Sequence, residues 1–258
     1  MSIDSVAKRA IILAAGRGSR LGHLTDAKPK CLTEVAGRPL LEWMLSALFQ
    51  SGIERVLIVG GYGYESLQPY QSPTVSTLRY AQWAETNMLG TLQAAGAWLA
   101  AEPCLITYSD IAVRPAHLAT LRAATGDIVV ANNTLWRTLW TARFEDPLAD
   151  AENFVFDRDM LRKIGGHAVD IAAIGGQFMG LVKTTPAGWA QLNKLMTDDP
   201  TLAREGDTTK LLARGLSADI PIHVVDCAGG WIEIDSEQDL RAVESGIAKG
   251  NWAHDWRT

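Results

Sequence analysis

Ile11-Ile12-Leu13-Ala14-Ala15-Gly16-Arg17-Gly18-Ser19-Arg20-Leu21, followed at a short interval by Pro29-Lys30, is the stretch that decides the fold. Ile11 to Ala15 is an unbroken apolar run, the pattern of a strand covered on both faces. Gly16 and Gly18 then turn the chain, and Arg20 and Lys30 follow the turn. Backbone N–H groups freed at a strand end, with two cations beside them, suit a polyphosphate. Two familiar phosphate loops do not fit. The G-x-x-x-x-G-K-[ST] loop fails because Gly16 and Gly18 lead into Ser19-Arg20. The dinucleotide fingerprint needs its third glycine where Leu21 stands, and Gly22 comes one residue late. It also needs an acid closing the second strand, where Val59-Gly60-Gly61 is found. An ordinary glycine-rich turn would leave Arg20 and Lys30 unexplained.

Outward from this loop, short apolar strands alternate with helices. The pattern predicts strands at Arg9–Ala15, Arg55–Val59, Val75–Tyr80, Cys104–Tyr108 and Asp127–Ala131. Helices are expected from Pro39 to Ser51 with Gly52 just past the end, from Met88 to Ala101, and from Pro115 to Ala124. This alternation implies an α/β fold with a doubly wound, mostly parallel sheet. Beyond it, 132–170 reads as a polar, aromatic-rich insert, loop-like, with short strands at Phe154–Phe156 and near Ile164. Gln177–Lys183, Ile222–Cys227 and Trp231–Ile234 read as strands. Pro186–Met196 and Asp207–Gly215 read as helices, and Ser236 caps a last helix over Glu237–Ala248. No linker, charge block or repeat divides the chain. One domain, 1–258, is expected, with a nucleotide-binding half at 1–131 and an acceptor-binding half at 132–258.

Composition sets bounds on this reading. The chain has 258 residues, 47% hydrophobic and 21% charged, with net charge −5 and pI near 5.6. That balance argues against a nucleic-acid backbone as partner, though it allows a local basic site. No run of eighteen apolar residues occurs, and Met1-Ser2-Ile3-Asp4 shows no leader pattern, so a cytoplasmic protein without membrane contact is expected. The three cysteines, Cys31, Cys104 and Cys227, are scattered and read as reduced thiols. Of nine tryptophans, Trp43 and Trp98 fall in helical patterns and read as core, whereas Trp83, Trp136, Trp140 and Trp231 lie near loop or strand ends and suit a ligand wall. The tail from Asn251 to Thr258, carrying Trp252 and Trp256, is free to pack on its own subunit or on a neighbour, which admits a homodimer.

Two aspartates complete the loop's chemistry. Asp110 closes a buried strand at the sheet edge where open α/β folds bind ligands. Asp235 follows Trp231-Ile232-Glu233-Ile234, in which alternation sets Trp231, Glu233 and Asp235 on one face. Charges at such inner positions are costly in a plain core, so Asp110 and Asp235 are expected to share one Mg²⁺ over a nucleotide. Alone, Asp110 reads as readily as a helix cap; for Asp235 the alternative is the N-terminal charge of the last helix, with the metal role favoured. With Lys30 and Arg20 they would neutralise a triphosphate while an already ionised acceptor oxygen attacks its α-phosphorus, a reaction needing positioning and electrostatics more than a general base.

The loop LAAGxGxRL…PK resembles that of the sugar-nucleotidyltransferase-like superfamily, and the run Trp231 to Leu240 is similar to its phosphocholine and phosphonoalkyl cytidylyltransferase branch. Thr86-Asn87 with Thr91-Leu92 resembles that branch's TN…SL helix start. Trp136-Arg137-x-x-Trp140-x-x-Arg143 with Asp150-Ala151-Glu152 resembles its W…Y…R…AE insert, and Gly176 to Lys183 its GE(F/Y)(I/M)GLxK strand. The resemblance implies a three-layer α/β/α Rossmann-like nucleotidyltransferase fold with a small acceptor-side insert. It implies Mg²⁺-dependent transfer of CMP from CTP to 2-aminoethylphosphonate, phosphocholine or a similar phosphonate or phosphomonoester. Leu13, Ala14, Ala15, Gly16, Gly18, Ser19, Arg20, Lys30, Thr86, Asn87 and Thr91 would bind the nucleotide. Trp136, Arg137, Trp140, Arg143, Glu152, Gln177, Lys183, Trp231 and Glu233 would bind the acceptor, and Lys30, Arg20, Asp110 and Asp235 would be catalytic. Gln177 replaces the family's usual Glu, and Met88 and Thr91 depart from the TN…SL pattern; these changes bear on the acceptor. Two alternatives stand beside this reading: a sugar-1-phosphate nucleotidyltransferase using UTP, dTTP or GTP, and a non-catalytic nucleotide-binding regulatory domain.

Overall fold

A computed structural model describes residues 6–257; the leader reading from Met1–Asp4 and the tail's last residue, Thr258, lie outside the described residues. In chain order the first half contains β1 (Arg9–Ala14), β2 (Glu34–Val35), β3 (Arg38–Pro39), α1 (Leu40–Gln50), β4 (Arg55–Gly60), β5 (Val75–Arg79), α2 (Met88–Ala94), α3 (Gly96–Ala101), β6 (Cys104–Tyr108), β7 (Ile111–Val113), α4 (Pro115–Ala123) and β8 (Ile128–Asn133). The second half contains α5 (Trp136–Arg143), β9 (Glu152–Asp157), β10 (Met160–His167), β11 (Gln177–Thr184), α6 (Pro186–Asp198), α7 (Pro200–Glu205), α8 (Thr208–Ser217), β12 (His223–Cys227), β13 (Trp231–Glu233) and α9 (Glu237–Lys249).

Nine strands form one sheet in the order β5-β4-β1-β6-β11-β8-β12-β10-β9. Pairing is parallel from β5 through β6 and between β8 and β12, while β11 and β10 run against their neighbours. The sheet is therefore mostly parallel and is buried on both faces, as the continuous apolar strands require. Along β1, Ala10, Ile12 and Ala14 pack on one side with α1, α4 and α5. Ile11 and Leu13 pack on the other with α2, α3, α6 and α8. This is the three-layer α/β/α architecture, with the loops that follow β1 and β6 meeting at one sheet edge.

The remaining strands matter more for function. β7 and β13 form a separate antiparallel ribbon with Ile111 opposite Glu233, and Ile234 N–H donates to Asp110 C=O at 2.9 Å. That ribbon brings Asp110 and Asp235 together across 125 residues of sequence. Alternation along it holds: Ile232 and Ile234 enter an apolar cluster with Leu21, Val35 and Val243, while Trp231 points the other way. The expected cap at Ser236 is a full capping box with Asp239, and Asp207 caps α8 by accepting from Lys210 N–H at 2.8 Å.

Three expectations need correction. The helix expected over Met88–Ala101 is two helices broken at Ala95–Gly96. Glycine's poor helix propensity leaves that turn to packing, and the Trp189 ring lies 3.5 Å from where a Gly96 Cβ would stand. The insert is not loop-like: it holds α5 and a bulged β9–β10 hairpin. Trp43 and Trp98 are only half-buried rim residues of the core. All three cysteines are free and buried. The tail packs on its own chain, with Trp256 3% exposed and edge-on to Trp43 at 5.7 Å. No helix among the described residues is long and apolar enough to cross a membrane.

Candidate active site

The opening loop is shaped by two left-handed glycines, Gly18 at φ 73° and Gly22 at φ 54°. Gly18 is required twice over: its φ disfavours other residues, and a Cβ there would sit 2.7 Å from Lys30 Cβ. The loop thus closes directly on the Lys30 side chain. A cavity of about 210 Å³ opens above it, lined by Leu13, Ala15, Gly16, Gly18, Lys30, Thr86, Asn87, Thr91, Ser109 and Asp110, with Trp83 and Met88 completing the wall. Eight of the residues expected to bind nucleotide are therefore brought together. Ala14 is not, because its side chain points into the opposite core. Ser19 lies on the exposed turn, and Arg20 reaches away to a second cavity. Asn87 also caps α2 by accepting from Met88 N–H at 2.8 Å.

At the floor of this cavity Lys30 Nζ donates to Asp110 Oδ2 at 2.7 Å and also bonds Asp235 Oδ1. Arg20 Nη2 donates to the same Asp235 oxygen at 2.9 Å. Burial by itself would lower the Lys30 ammonium pKa, but the charges of Asp110 and Asp235 outweigh it and hold the value raised. Asp235 shows the converse: burial pushes its carboxyl up, and Lys30, Arg20 and Arg143 together bring it below the ordinary range. Asp110 Oδ1 is buried with no hydrogen-bond partner, a free hard oxygen facing a cluster of charge.

The second cavity, about 310 Å³, lies across this cluster. Its wall carries Asp150, Glu152, Asp207, Glu233 and Asp235 against one cation, Arg20, with Met88, Tyr108, Trp140, Gln177, Phe178, Gly180 and Thr209 between them. Burial, then the Asp235 charge, push the Glu233 carboxyl up. Burial, then Asp207 and Asp150, push Glu152 up to about 6.

Of the residues expected to line an acceptor site, Trp140, Glu152, Gln177 and Glu233 do so, and five do not. Trp136 is 3% exposed and stands edge-on behind Trp140 at 6.1 Å. Trp231 stacks parallel to Trp140 at 6.1 Å and donates from Nε1 to Met179 C=O at 3.1 Å. Arg137 leaves the helix on its solvent side and donates to Ile171 C=O at 3.2 Å. Arg143 is 1% exposed and points into an internal cluster of carboxylates. Lys183 is fully buried and donates to Ala124 C=O at 2.6 Å. It misses the site because β11 runs antiparallel to β6, with Lys183 opposite Leu105. The Gln177 end of β11 faces the cleft and the Lys183 end lies far from it. Sequence reading did not single out Met88, Tyr108, Asp150, Phe178, Asp207 or Thr209 as site residues. Asp150, Phe178 and Met88 fall within the segments that carry the resemblance, and Asp207 within a cap signal, but none of these signals gave them a place in a cavity.

Comparisons with known proteins bear on the family and the fold. The CTP:phosphoglutamine cytidylyltransferase of Campylobacter jejuni subsp. jejuni is 28% identical over 90% of this chain and 97% of its own. The CMP-5'-(3-aminopropyl)phosphonate synthase of Streptomyces rubellomurinus is 29% identical over 93% of this chain but only 39% of its own length. The solved inositol-1-phosphate CTP transferase of T. maritima superposes with a TM-score of 0.75 over 96% of this chain and 99% of that one, at 18% identity, which shows the shared fold. Residues 10–169 match the model of the MobA-like NTP transferase domain, and the chain belongs to that family of nucleotidyltransferases.

Proposed function

We propose that this protein transfers CMP from CTP to a phosphonate or phosphate oxygen of a small acceptor carrying a primary or quaternary ammonium group, of the 2-aminoethylphosphonate or phosphocholine type. The acceptor oxygen forms a bond to the α-phosphorus as the bond to the β-phosphate oxygen breaks, releasing pyrophosphate. One observation carries the reading: Lys30, Asp110 and Asp235 lie at the junction of a glycine-lined cavity and a cavity with five carboxylates. An acceptor whose far end is an ammonium suits that second wall, whereas the uncharged sugar of a sugar phosphate has no use for a wall of carboxylates. The names of the two cytidylyltransferase relatives support cytidine as the base.

Within the protein, Lys30 and Arg20 are neutralised by Asp110 and Asp235. A triphosphate over Gly16 and Gly18 would offer those cations better partners, and Asp110 and Asp235 are the residues that would hold a metal beside it. Mg²⁺ fits them: both are hard oxygen donors, and Asp110 Oδ1 already lacks a partner. Among the described residues no group of three His, Cys, Asp or Glu side chains is assembled to hold a metal, so phosphate oxygens and water would complete the shell. When bound, Mg²⁺ would neutralise and orient the triphosphate. Lys30 and Arg20 would hold its negative charge as it builds on the departing pyrophosphate.

Pyrophosphate release measured over CTP, UTP, dTTP and GTP, each with aminophosphonates, phosphocholine and sugar 1-phosphates, tests this assignment. Turnover with CTP and an ammonium-bearing acceptor is expected; turnover confined to sugar phosphates would overturn it. Two variants refine the acceptor wall. Glu152, ionised above about 6, loses its charge as pH falls, so the acceptor KM should rise below that value. Dividing by the KM of Glu152→Gln cancels the acceptor's own ionisation, and a pH-independent ratio would remove Glu152 from acceptor binding. Trp136→Ala should cost about 3–5 kcal/mol of stability, read from denaturant unfolding, with little change in acceptor KM. A large KM rise at unchanged stability would return Trp136 to the acceptor wall.

A further inference from the structure

We infer that Arg143 is a positioning residue for the Glu233–Asp235 segment, acting through those carboxylates and not on the acceptor; the inference rests on the nucleotidyl-transfer reading above. Its guanidinium is 1% exposed and sandwiched near the rings of Trp140 at 5.2 Å and Phe144 at 5.1 Å. Nε donates to Asp239 Oδ1 at 2.7 Å and Nη1 to Glu233 Oε2 at 3.3 Å. Nη2 has no hydrogen-bond partner and lies 4.0 Å from Asp235 Oδ2. Each nitrogen of the fork therefore faces a different carboxylate of one short segment.

The link to Asp235 is doubled through the backbone. Asp239 Oδ2 accepts from Asp235 N–H at 3.0 Å and from Ser236 N–H at 2.8 Å, so Arg143 fixes the residue that fixes the Asp235 main chain. From the helix side, Gln238 Nε2 donates to Arg143 C=O at 2.6 Å. Stability alone is a poor reason for this arrangement, because a buried charge cluster is commonly no better than apolar packing of the same volume. What it supplies is a permanent cation. Lys30 and Arg20 are exchangeable partners of Asp235, being the groups a triphosphate attracts, whereas Arg143 is walled off from solvent and stays. The unpaired Nη2 is placed to take up Asp235 Oδ2 once Lys30 turns to phosphate. Because α5 also carries Trp140, a wall of the acidic cavity, the same helix ties that cavity to the carboxylate pair.

Lysine keeps the charge but cannot engage two carboxylates at fixed spacing, so Arg143→Lys separates charge from geometry. In this variant, Mn²⁺ affinity measured by titration with CTP present should fall about tenfold or more, and kcat should fall by a similar factor. CTP KM should stay within about threefold, since the glycine loop is untouched. Asp239→Asn breaks the same linkage from the other side and should reproduce the fall, which covers the case of an unstable lysine variant. In an Asp235→Asn background, Arg143→Lys should change kcat by less than about threefold, because the two act as a unit. Equal losses in both backgrounds, or unchanged Mn²⁺ affinity in a folded Arg143→Lys protein, would overturn the positioning role and leave nucleotidyl transfer standing. A fall in Mn²⁺ affinity in a protein that transfers no nucleotide to any acceptor would support the positioning role and overturn the transfer reading.

Discussion

Lys30→Met is expected to lower kcat about a thousandfold, the upper range for loss of one preorganised charge aimed at a developing anion. Lys30 is the residue that touches both Asp110 and Asp235, and its side chain is 10% exposed. No neighbouring cation bridges both aspartates, since Arg20 reaches only Asp235 and Arg143 faces Glu233, Asp235 and Asp239 but not Asp110. Methionine keeps the stem that packs under Gly18, so the loop should stay closed and the loss should fall on kcat as well as on CTP KM. The variant also leaves two carboxylates facing one another without their bridging ammonium. It should therefore be less stable than the wild type without a divalent cation and recover part of that loss when Mg²⁺ is added. A Lys30→Met enzyme with near-normal kcat would remove Lys30 from the reaction, whatever its stability.

The second large effect is expected from the aspartates. Asp110→Asn and Asp235→Asn should each lower kcat by a factor of about 100 or more, measured at saturating CTP and Mg²⁺. The two should differ in character. Asp235 holds Lys30 and Arg20 together, so its loss loosens the cation pair as well as the metal position. Asp110 binds only Lys30 and keeps one oxygen unpartnered, so its loss should act mainly on the metal and show a raised Mg²⁺ requirement. Near-normal rates in either variant would take that residue out of the metal site.

Much of this was legible in the sequence where the information is local. The apolar run of β1, the glycine turn, the strand stopping at Asp110 and the Ser236 cap are each written in a few adjacent residues, and each is found where expected. The pairing of β7 with β13 was not legible, because a three-residue ribbon of residues far apart in sequence leaves no periodic signal. Yet that ribbon is what joins Asp110 to Asp235. The direction of β11 was hidden for the same reason, and it decides that Gln177 faces the cleft while Lys183 does not. α5 was missed for a different reason. Its buried set Trp136, Leu139, Trp140 and Arg143 follows the helical i, i+3, i+4, i+7 spacing, but an arginine in the last place and two tryptophans disguised the stripe. An arginine among aromatic side chains reads as a ligand-binding group until its carboxylate partners are known.

The central claim is that CTP bound over the Gly16–Gly18 loop gives its α-phosphorus to an acceptor held by the acidic wall. Phosphorus NMR of the protein with CTP, Mg²⁺ and 2-aminoethylphosphonate tests it most directly. The account predicts free pyrophosphate and, in equal amount, a new phosphonate-to-phosphate anhydride signal, both appearing about 100-fold or more slowly with Asp235→Asn. Loss of CTP with no such anhydride from this acceptor or from phosphocholine, or an unchanged CTP spectrum with either, would contradict it.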